Sequence, residues 1–244
     1  MRKTRIFVEQ PLTPGATTTL DGQAARHVAQ VLRKNAGDSL WLFDGSGREY
    51  QATIQSARKT AVEVTIGEPL ETMAESSLDI SLWHGLCRND RMDSVVQKAT
   101  EMGVRHIQPV LTEHSVIRLD ASRAEKKRSH WQQIAVSACE QSGRTIVPAI
   151  GKPTSFMSAL SALDDTPCSK LICAPGSTQS LQDCVVEGLP VIALTGPEGG
   201  FSPAEISAAT QSGFRSVSLG PRILRTETAP IVILTLLQNL AGDL

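Results

Sequence analysis

The sequence predicts a mixed α/β protein in two parts: a small β-rich barrel at the N-terminus, then an α/β domain with a parallel sheet. Three observations carry that reading. Short β-prone runs separated by turn residues crowd the first seventy positions, a polar stretch marked by Pro69 follows, and beyond it apolar strand runs alternate with helical segments. The boundaries are 1–70 for the barrel, 71–77 for a linker and 78–244 for the α/β domain.

In the first part the strand runs are Arg5 to Val8, Ser39 to Phe43, Glu49 to Ile54 and Ala61 to Ile66. In the last of these, Val62, Val64 and Ile66 alternate onto one face. Pro14-Gly15, Asn35-Ala36-Gly37-Asp38 and Asp44-Gly45-Ser46-Gly47 supply the turns. One helix interrupts, Gly22 to Lys34, with Ala24, Val28, Val31 and Leu32 at helical spacing. So many short strands in so little chain point to a closed barrel.

In the second part the strand runs are Leu78 to Trp83, His106 to Leu111, Lys170 to Ala174, Val191 to Leu194 and Ser216 to Leu219. Several are continuously apolar, as parallel strands covered on both faces must be. The helix Arg91 to Met102 carries Met92, Val95, Ala99 and Met102 on one face and stops at Gly103. The helix Ser122 to Ser142 is expected to open with a capping box, Ser122 and Glu125, and to carry its stripe on Trp131, Ile134, Ala135, Ala138 and Ser142. Ser202-Pro203-Ala204-Glu205 is a second capping box with Pro at the first helical position. The last helix, Thr228 to Ala241, is apolar nearly all round and is expected to be covered on every side.

Composition narrows the function classes. With 244 residues, a formal net charge of −1, 41% hydrophobic and 20% charged residues, the chain is neither disordered, coiled-coil nor collagen-like. The longest apolar run, Ile231 to Leu237, falls far short of the ~20 residues that span a bilayer. Basic residues at positions 2, 3 and 5 have no apolar signal core behind them, so a soluble, cytoplasmic protein with no membrane partner is expected. The 5 cysteines are scattered, without a C-x-x-C pair, and His84, His106, His114 and His130 lack ligand spacing, so no metal is expected. Any nucleic-acid contact has to come from local basic patches rather than global charge.

There is no Rossmann, P-loop, zincin or nucleophile-elbow motif. Two segments remain. Leu194-Thr195-Gly196-Pro197-Glu198-Gly199-Gly200-Phe201-Ser202 joins a buried strand to a capped helix, and its glycines let backbone approach a ligand closely. Leu219-Gly220-Pro221-Arg222-Ile223-Leu224-Arg225-Thr226-Glu227-Thr228-Ala229 leads from a strand into the apolar last helix, putting Arg225 and Glu227 close to the core. A basic cluster, Arg123, Lys126, Lys127 and Arg128, sits in the first two turns of a helix, where the macrodipole disfavours cations and an anionic partner would offset that cost. Arg2, Lys3, Arg5, Arg26, His27, Arg33 and Lys34 form a basic strip on the small domain.

These segments, with His27 to Arg33, Leu42-Phe43-Asp44-Gly45, Gln97 to Val104 and Ala138 to Arg144, resemble the RsmE family, the 16S rRNA (uracil-N3) methyltransferases of the SPOUT superfamily. The resemblance runs through nearly the whole chain. It implies a PUA-like barrel that binds RNA, and a SPOUT domain with a parallel sheet and a deep trefoil knot that binds S-adenosylmethionine. It also implies a homodimer and, as substrate, 16S rRNA within the small ribosomal subunit. Arg26 stands where many members carry a second His, and Met102 where Leu is usual.

The expected cofactor residues are Thr195, Gly196, Pro197, Glu198, Gly199, Leu219, Gly220, Leu224, Arg225 and Thr226, with a third loop near Ala174-Pro175-Gly176. The expected RNA contacts are Arg2, Arg5, Arg26, His27, Arg33, Arg123, Lys126 and Lys127. Uracil N3 must lose its proton to attack, and the charge that spreads onto O2 and O4 needs a cation, for which Arg144 and Arg225 are the candidates. An arginine cannot be the base. Glu140, Glu198 and Glu227 stay open as proton acceptors. Two other readings stand beside this one: a non-catalytic RNA-binding assembly factor, and a related knotted methyltransferase acting on tRNA or another base.

Overall fold

In the computed structural model, residues 3–71, 74–115, 120–177 and 179–244 are described. The chain forms two compact units, one of Met1–Glu75 with Cys139–Val147, the other of Ser76–Ala138 with Pro148–Leu244. Sequence boundaries did not foresee that 139–147, nine residues from the middle of the second part, pack with the first.

The first unit is a five-stranded sheet of β1 (Arg5–Phe7), β2 (Thr17–Leu20), β3 (Ser39–Phe43), β4 (Arg48–Arg58) and β5 (Ala61–Glu71). The order is β1-β3-β4-β5-β2, with β1 parallel to β3 and the other pairs antiparallel. Among the described residues the ladder has two edges, β1 and β2, where a closed barrel was expected; bulges near Tyr50 and Ile54 coil the long β4–β5 hairpin instead. Strand β2, a Thr run outside the strands expected from sequence, pairs with β5 because β-branched residues suit the pleat. Ile6, Leu20, Leu40, Leu42, Ile54, Val62 and Val64 fill the core.

The single helix expected over Gly22 to Lys34 is broken. It consists of α1 (Gly22–Arg26) and a π-helical turn, His27–Val31, and Arg33 then takes a left-handed φ of 53°. The buried Val28 keeps the turn against the core, while Arg26 and Arg33 face solvent.

Buried charge fastens 139–147 to this unit. Arg5, expected on the RNA-facing strip, is only 8% exposed and pairs with Glu49, while donating to the carbonyls of Cys139 and Arg144. Arg144, 2% exposed, pairs with Glu75 at 2.9 Å, and that carboxylate also accepts from the backbone N–H groups of Thr145 and Ile146.

The second unit contains β6 (Ile80–Gly85), α2 (Asn89–Glu101), β7 (His106–Leu111), α3 (Ala121–Ser142) as far as Ala138, β8 (Ala149–Ile150), β9 (Thr154–Ser155) and α4 (Phe156–Ser161). There follow β10 (Ser169–Cys173), α5 (Leu181–Cys184), β11 (Val191–Thr195), α6 (Pro203–Gln211), β12 (Arg215–Val217) and α7 (Thr228–Ala241). Every pairing is parallel, in the order β12-β10-β11-β6-β7-β8, with β9 also on β7. On one side, Trp83, Phe156, Ile172, Leu194 and Phe214 form a common core. Strands β8 and β9 have two residues each, too few to show a period in sequence.

Helix α2 buries Met92, Val95, Val96 and Ala99 and ends at Gly103 with φ 86°, as its pattern requires. The expected Ser122–Glu125 box is absent at α3. Asp120 accepts from the Arg123 N–H at 2.8 Å in its place, two residues earlier, and Glu125 turns to Arg128 at 2.7 Å. Helix α7 buries Ile233, Leu234, Leu237 and Gln238, but Leu236 and Leu240 are 42% and 37% exposed, so one flank of the all-apolar helix is open in the single chain. No helix among the described residues is long and apolar enough to cross a membrane.

At α6 the box expected from sequence is complete: Ser202 Oγ accepts from the Glu205 N–H, and Glu205 accepts from the Ser202 N–H. Glu205 also accepts from the Glu113 N–H at 2.8 Å, tying the turn after β7 to the start of α6. Ser202→Ala is expected to cost about 1 kcal/mol in urea unfolding. Glu205→Ala is expected to cost about 2 kcal/mol, since it also strands the Glu113 N–H.

Candidate active site

Strands β10, β11 and β12 are neighbours, so the loops leaving their carboxyl ends lie side by side. Those loops enclose one cavity of 620 Å³ within the second unit. Its wall is drawn from 173–176, from 196–201 and from 217–224, with Thr226 and Ala229 beyond. Gly176, Gly200 and Gly220, one on each loop, have φ values of 82°, 67° and 103°, and a Cβ built at any of them would meet no neighbouring atom. Backbone therefore faces open space on three sides, where a ligand can reach main-chain N–H and C=O groups.

Of the expected cofactor residues, Gly196, Pro197, Glu198, Gly199, Leu219, Gly220, Leu224 and Thr226 line this cavity. Thr195 is fully buried at the end of β11, and Arg225, between two lining residues, points out and is exposed. Ile223 lies on the lip and is 90% exposed. The third loop, Ala174-Pro175-Gly176, is in the wall.

A buried hydrogen-bond network holds two of the loops together. The Thr226 hydroxyl donates to the Gly196 carbonyl at 3.0 Å, so toward His84 Nε2, at 3.4 Å, it accepts. Nε2 then carries the imidazole proton, and Nδ1 accepts from the Thr195 hydroxyl at 2.8 Å. His84 is the penultimate residue of β6, and complete burial holds its pKa down to about 3, so the ring is neutral. Next to it, Gly85 leaves room for Pro197; a Cβ there would lie 2.3 Å from the Pro197 ring. The segment after β12 thus runs from the sheet edge back across the strand ends to β6.

Outside the network, Glu198 accepts from the Arg88 N–H at 3.2 Å, at the start of α2, and pairs with Arg91 at 3.3 Å. Arg91 also reaches Glu227, 3.8 Å from its Nε, just before α7. His114 shares a 3.0 Å hydrogen bond with the Gly199 carbonyl. Burial, with Glu198 adding to it at Cys87, pushes the Cys87 thiol up to about 12, and burial alone does the same for Cys173, so neither offers a thiolate. Sequence reasoning missed His84 and Arg91. His84 was weighed only as a metal ligand, although a His inside an apolar strand run signals a satisfied buried polar group; Arg91 had no local signal.

The remaining site candidates lie elsewhere. Arg144 and Glu140 belong to the first unit. Glu140 is half-buried, which raises its pKa against the opposing effect of the Phe7 N–H that it accepts from at 3.1 Å. Arg26, Arg33, Arg123 and Lys126 are exposed and His27 and Lys127 half-buried, with Arg123 paired to Asp120. Arg2 lies outside the described residues. Among the described residues no group of three or more His, Cys, Asp or Glu is placed to hold a metal.

Both units match known domains. Residues 74–238 match the model of an RNA methyltransferase domain, and residues 20–67 that of an RNA methyltransferase PUA domain. The chain is 32% identical over 241 residues to ribosomal RNA small subunit methyltransferase E of Bacillus subtilis (strain 168), covering 95% of this chain and 94% of that one. It is similar to the crystal structure of the same enzyme from Neisseria gonorrhoeae bound to S-adenosyl methionine, at 36% identity, TM-score 0.93 and 99% coverage of each chain. It is also similar to a Legionella pneumophila methyltransferase in complex with the bound cofactor SAM, at 38% identity, TM-score 0.95 and full coverage of both. The class is thus an RNA methyltransferase with a PUA domain. More narrowly, the chain belongs to the ribosomal RNA small subunit methyltransferase E family, as its motifs indicated.

His84 gives the site a pH signature. Its folded pKa of about 3 lies below the 6.5 of the free side chain, so its contribution to stability is complete above pH 6.5 and is lost as pH falls from there toward 3. At pH 5 the loss is about 2 kcal/mol. Thermal melts between pH 7.5 and 5 are expected to show that decline, and His84→Asn to flatten it while lowering stability at neutral pH.

Proposed function

We propose that this protein transfers a methyl group from S-adenosylmethionine to N3 of a uridine in 16S rRNA of the small ribosomal subunit, acting in the cytoplasm as a homodimer. The single observation that supports the donor site is the 620 Å³ cavity walled by main chain from three adjacent loops. Its size suits a nucleoside with a short tail, and the glycine-bearing wall offers backbone groups to an adenine and ribose. The bound donor supplies a methyl group already activated on a sulfonium. Gly196–Gly200 and Leu219–Thr226 orient it, and alignment of this kind is worth ~7–11 kcal/mol of a barrier. In this reading the segment that runs from β12 back to β6 passes through a deep trefoil knot.

Uracil N3 lies on the Watson–Crick edge, so the substrate uridine must be unpaired when it enters. The exposed Arg26, Arg33, Arg123 and Lys126 hold the surrounding phosphates. Arg225, on the outer side of the cavity lip, stabilises the charge on O2 and O4 as N3 loses its proton. Arg144, the other arginine considered, already serves Glu75. Of the carboxylates considered as proton acceptor, Glu198 lines the cavity and Glu227 precedes α7, both engaged by Arg91, whereas Glu140, with its pKa raised by burial, belongs to the first unit.

Mapping of N3-methylated uridines in ribosomal RNA from cells with and without the protein tests the reading. One 16S site lost in the deletion is expected; an unchanged map would refute it. Titration calorimetry separates it from a non-catalytic assembly factor, which would bind RNA without S-adenosylmethionine. Arg225→Ala is expected to lower turnover about 100-fold while leaving the donor Kd within about threefold.

A further inference from the structure

We infer that Arg91 is a positioning residue that clamps the two main loops of the cavity together by neutralising a pair of facing carboxylates. Among the described residues, no other side-chain ion pair links the two carboxylates' loops. Glu198 sits in the Gly196–Gly200 loop and lines the cavity, whereas Glu227 follows Thr226 and precedes α7. Arg91 projects from the first turn of α2 and reaches both, Nη1 to Glu198 Oε1 at 3.3 Å and Nε to Glu227 Oε2 at 3.8 Å. One planar guanidinium can address two carboxylates with different N–H edges, which a lysine ammonium does less well.

Two further observations separate this cluster from an ordinary surface ion pair. Glu227 Oε2 is buried and accepts no hydrogen bond among the described residues, so Arg91 is its one compensating charge there. Arg222 and Arg225, the other cations on the second loop, are exposed and pair with neither glutamate among the described residues. Removing Arg91 leaves the two glutamates of these loops without the cation they share, one of them with a buried oxygen. The loops relieve that repulsion by separating, and the cavity loses its shape. A pair that contributed only surface charge would be nearly neutral to remove.

The inference rests on the proposed donor site for its functional meaning, but not for its test. Hydrogen exchange on the ligand-free full chain is the primary readout, with Arg91→Met, Arg91→Lys and Arg91→Met/Glu227→Gln, and circular dichroism to confirm folding. Arg91→Met is expected to speed exchange in both 196–200 and 224–229. The double variant is expected to restore most of the protection, because the second negative charge is gone, and Arg91→Lys to fall between. In parallel, the Kd for S-adenosylmethionine is expected to rise about tenfold in Arg91→Met and to recover in the double variant. Simple loss of packing would not be rescued by Glu227→Gln. Wild-type exchange in Arg91→Met, or a double variant no better protected than the single, overturns the clamp. If Arg91→Met fails to fold, Arg91→Lys against Arg91→Lys/Glu227→Gln decides by the same comparison. Wild-type protein that binds no S-adenosylmethionine would overturn the donor site instead, and the exchange result would still judge the clamp.

Discussion

The hydroxyl of Thr226 on the carbonyl of Gly196 is the contact on which the cavity depends. It joins a loop that leaves β11 to a segment that has already crossed from the far edge of the sheet. A single hydroxyl could slide on a glycine carbonyl, but this one is also fixed from behind by His84, whose other nitrogen is held by Thr195. All three side chains are 5% exposed or less, so their polar atoms depend on one another. A charged imidazole is disfavoured here by burial rather than by its partners, since the Thr195 hydroxyl can accept as well as donate. Burial at the end of a parallel strand keeps the ring neutral and makes the arrangement self-consistent.

The cavity was legible in the sequence because its construction is local. Glycine and proline at Gly196-Pro197 and Gly220-Pro221 announce bends after apolar runs, and apolar runs in alternation with helices announce a parallel sheet whose loops gather at one end. What sequence could not show is which strands are neighbours. β10 lies between β12 and β11, although β11 and β12 follow it in the chain, and only that order sets the three loops side by side. Arg91 and His84 escaped for the same reason: their partners are about 110 to 140 positions away, beyond any periodicity.

Charged residues misled the reading in a consistent way. Arg5 and Arg144 were assigned to RNA and to chemistry from their type and motif, yet both are buried, Arg5 on Glu49 and the carbonyls of Cys139 and Arg144, and Arg144 on Glu75. A guanidinium satisfies many acceptors at once, so arginine is as apt for stitching a distant segment into a core as for meeting a phosphate. The helix over Gly22 to Lys34 failed differently. Of its apolar stripe Val28 is buried and Ala24 and Leu32 pack against the core, but Val31 is 67% exposed, because a widened turn and the left-handed Arg33 end the helix early.

Every strand of the parallel sheet is complete by Val217, yet the cavity wall continues through Ala229. During synthesis the sheet can therefore assemble while its ligand pocket still lacks a side. A nascent chain halted at the end of β12 would possess the whole scaffold and none of the Thr226 latch. Competence to hold a nucleoside thus arrives only once the stretch between β12 and the start of α7 has been read.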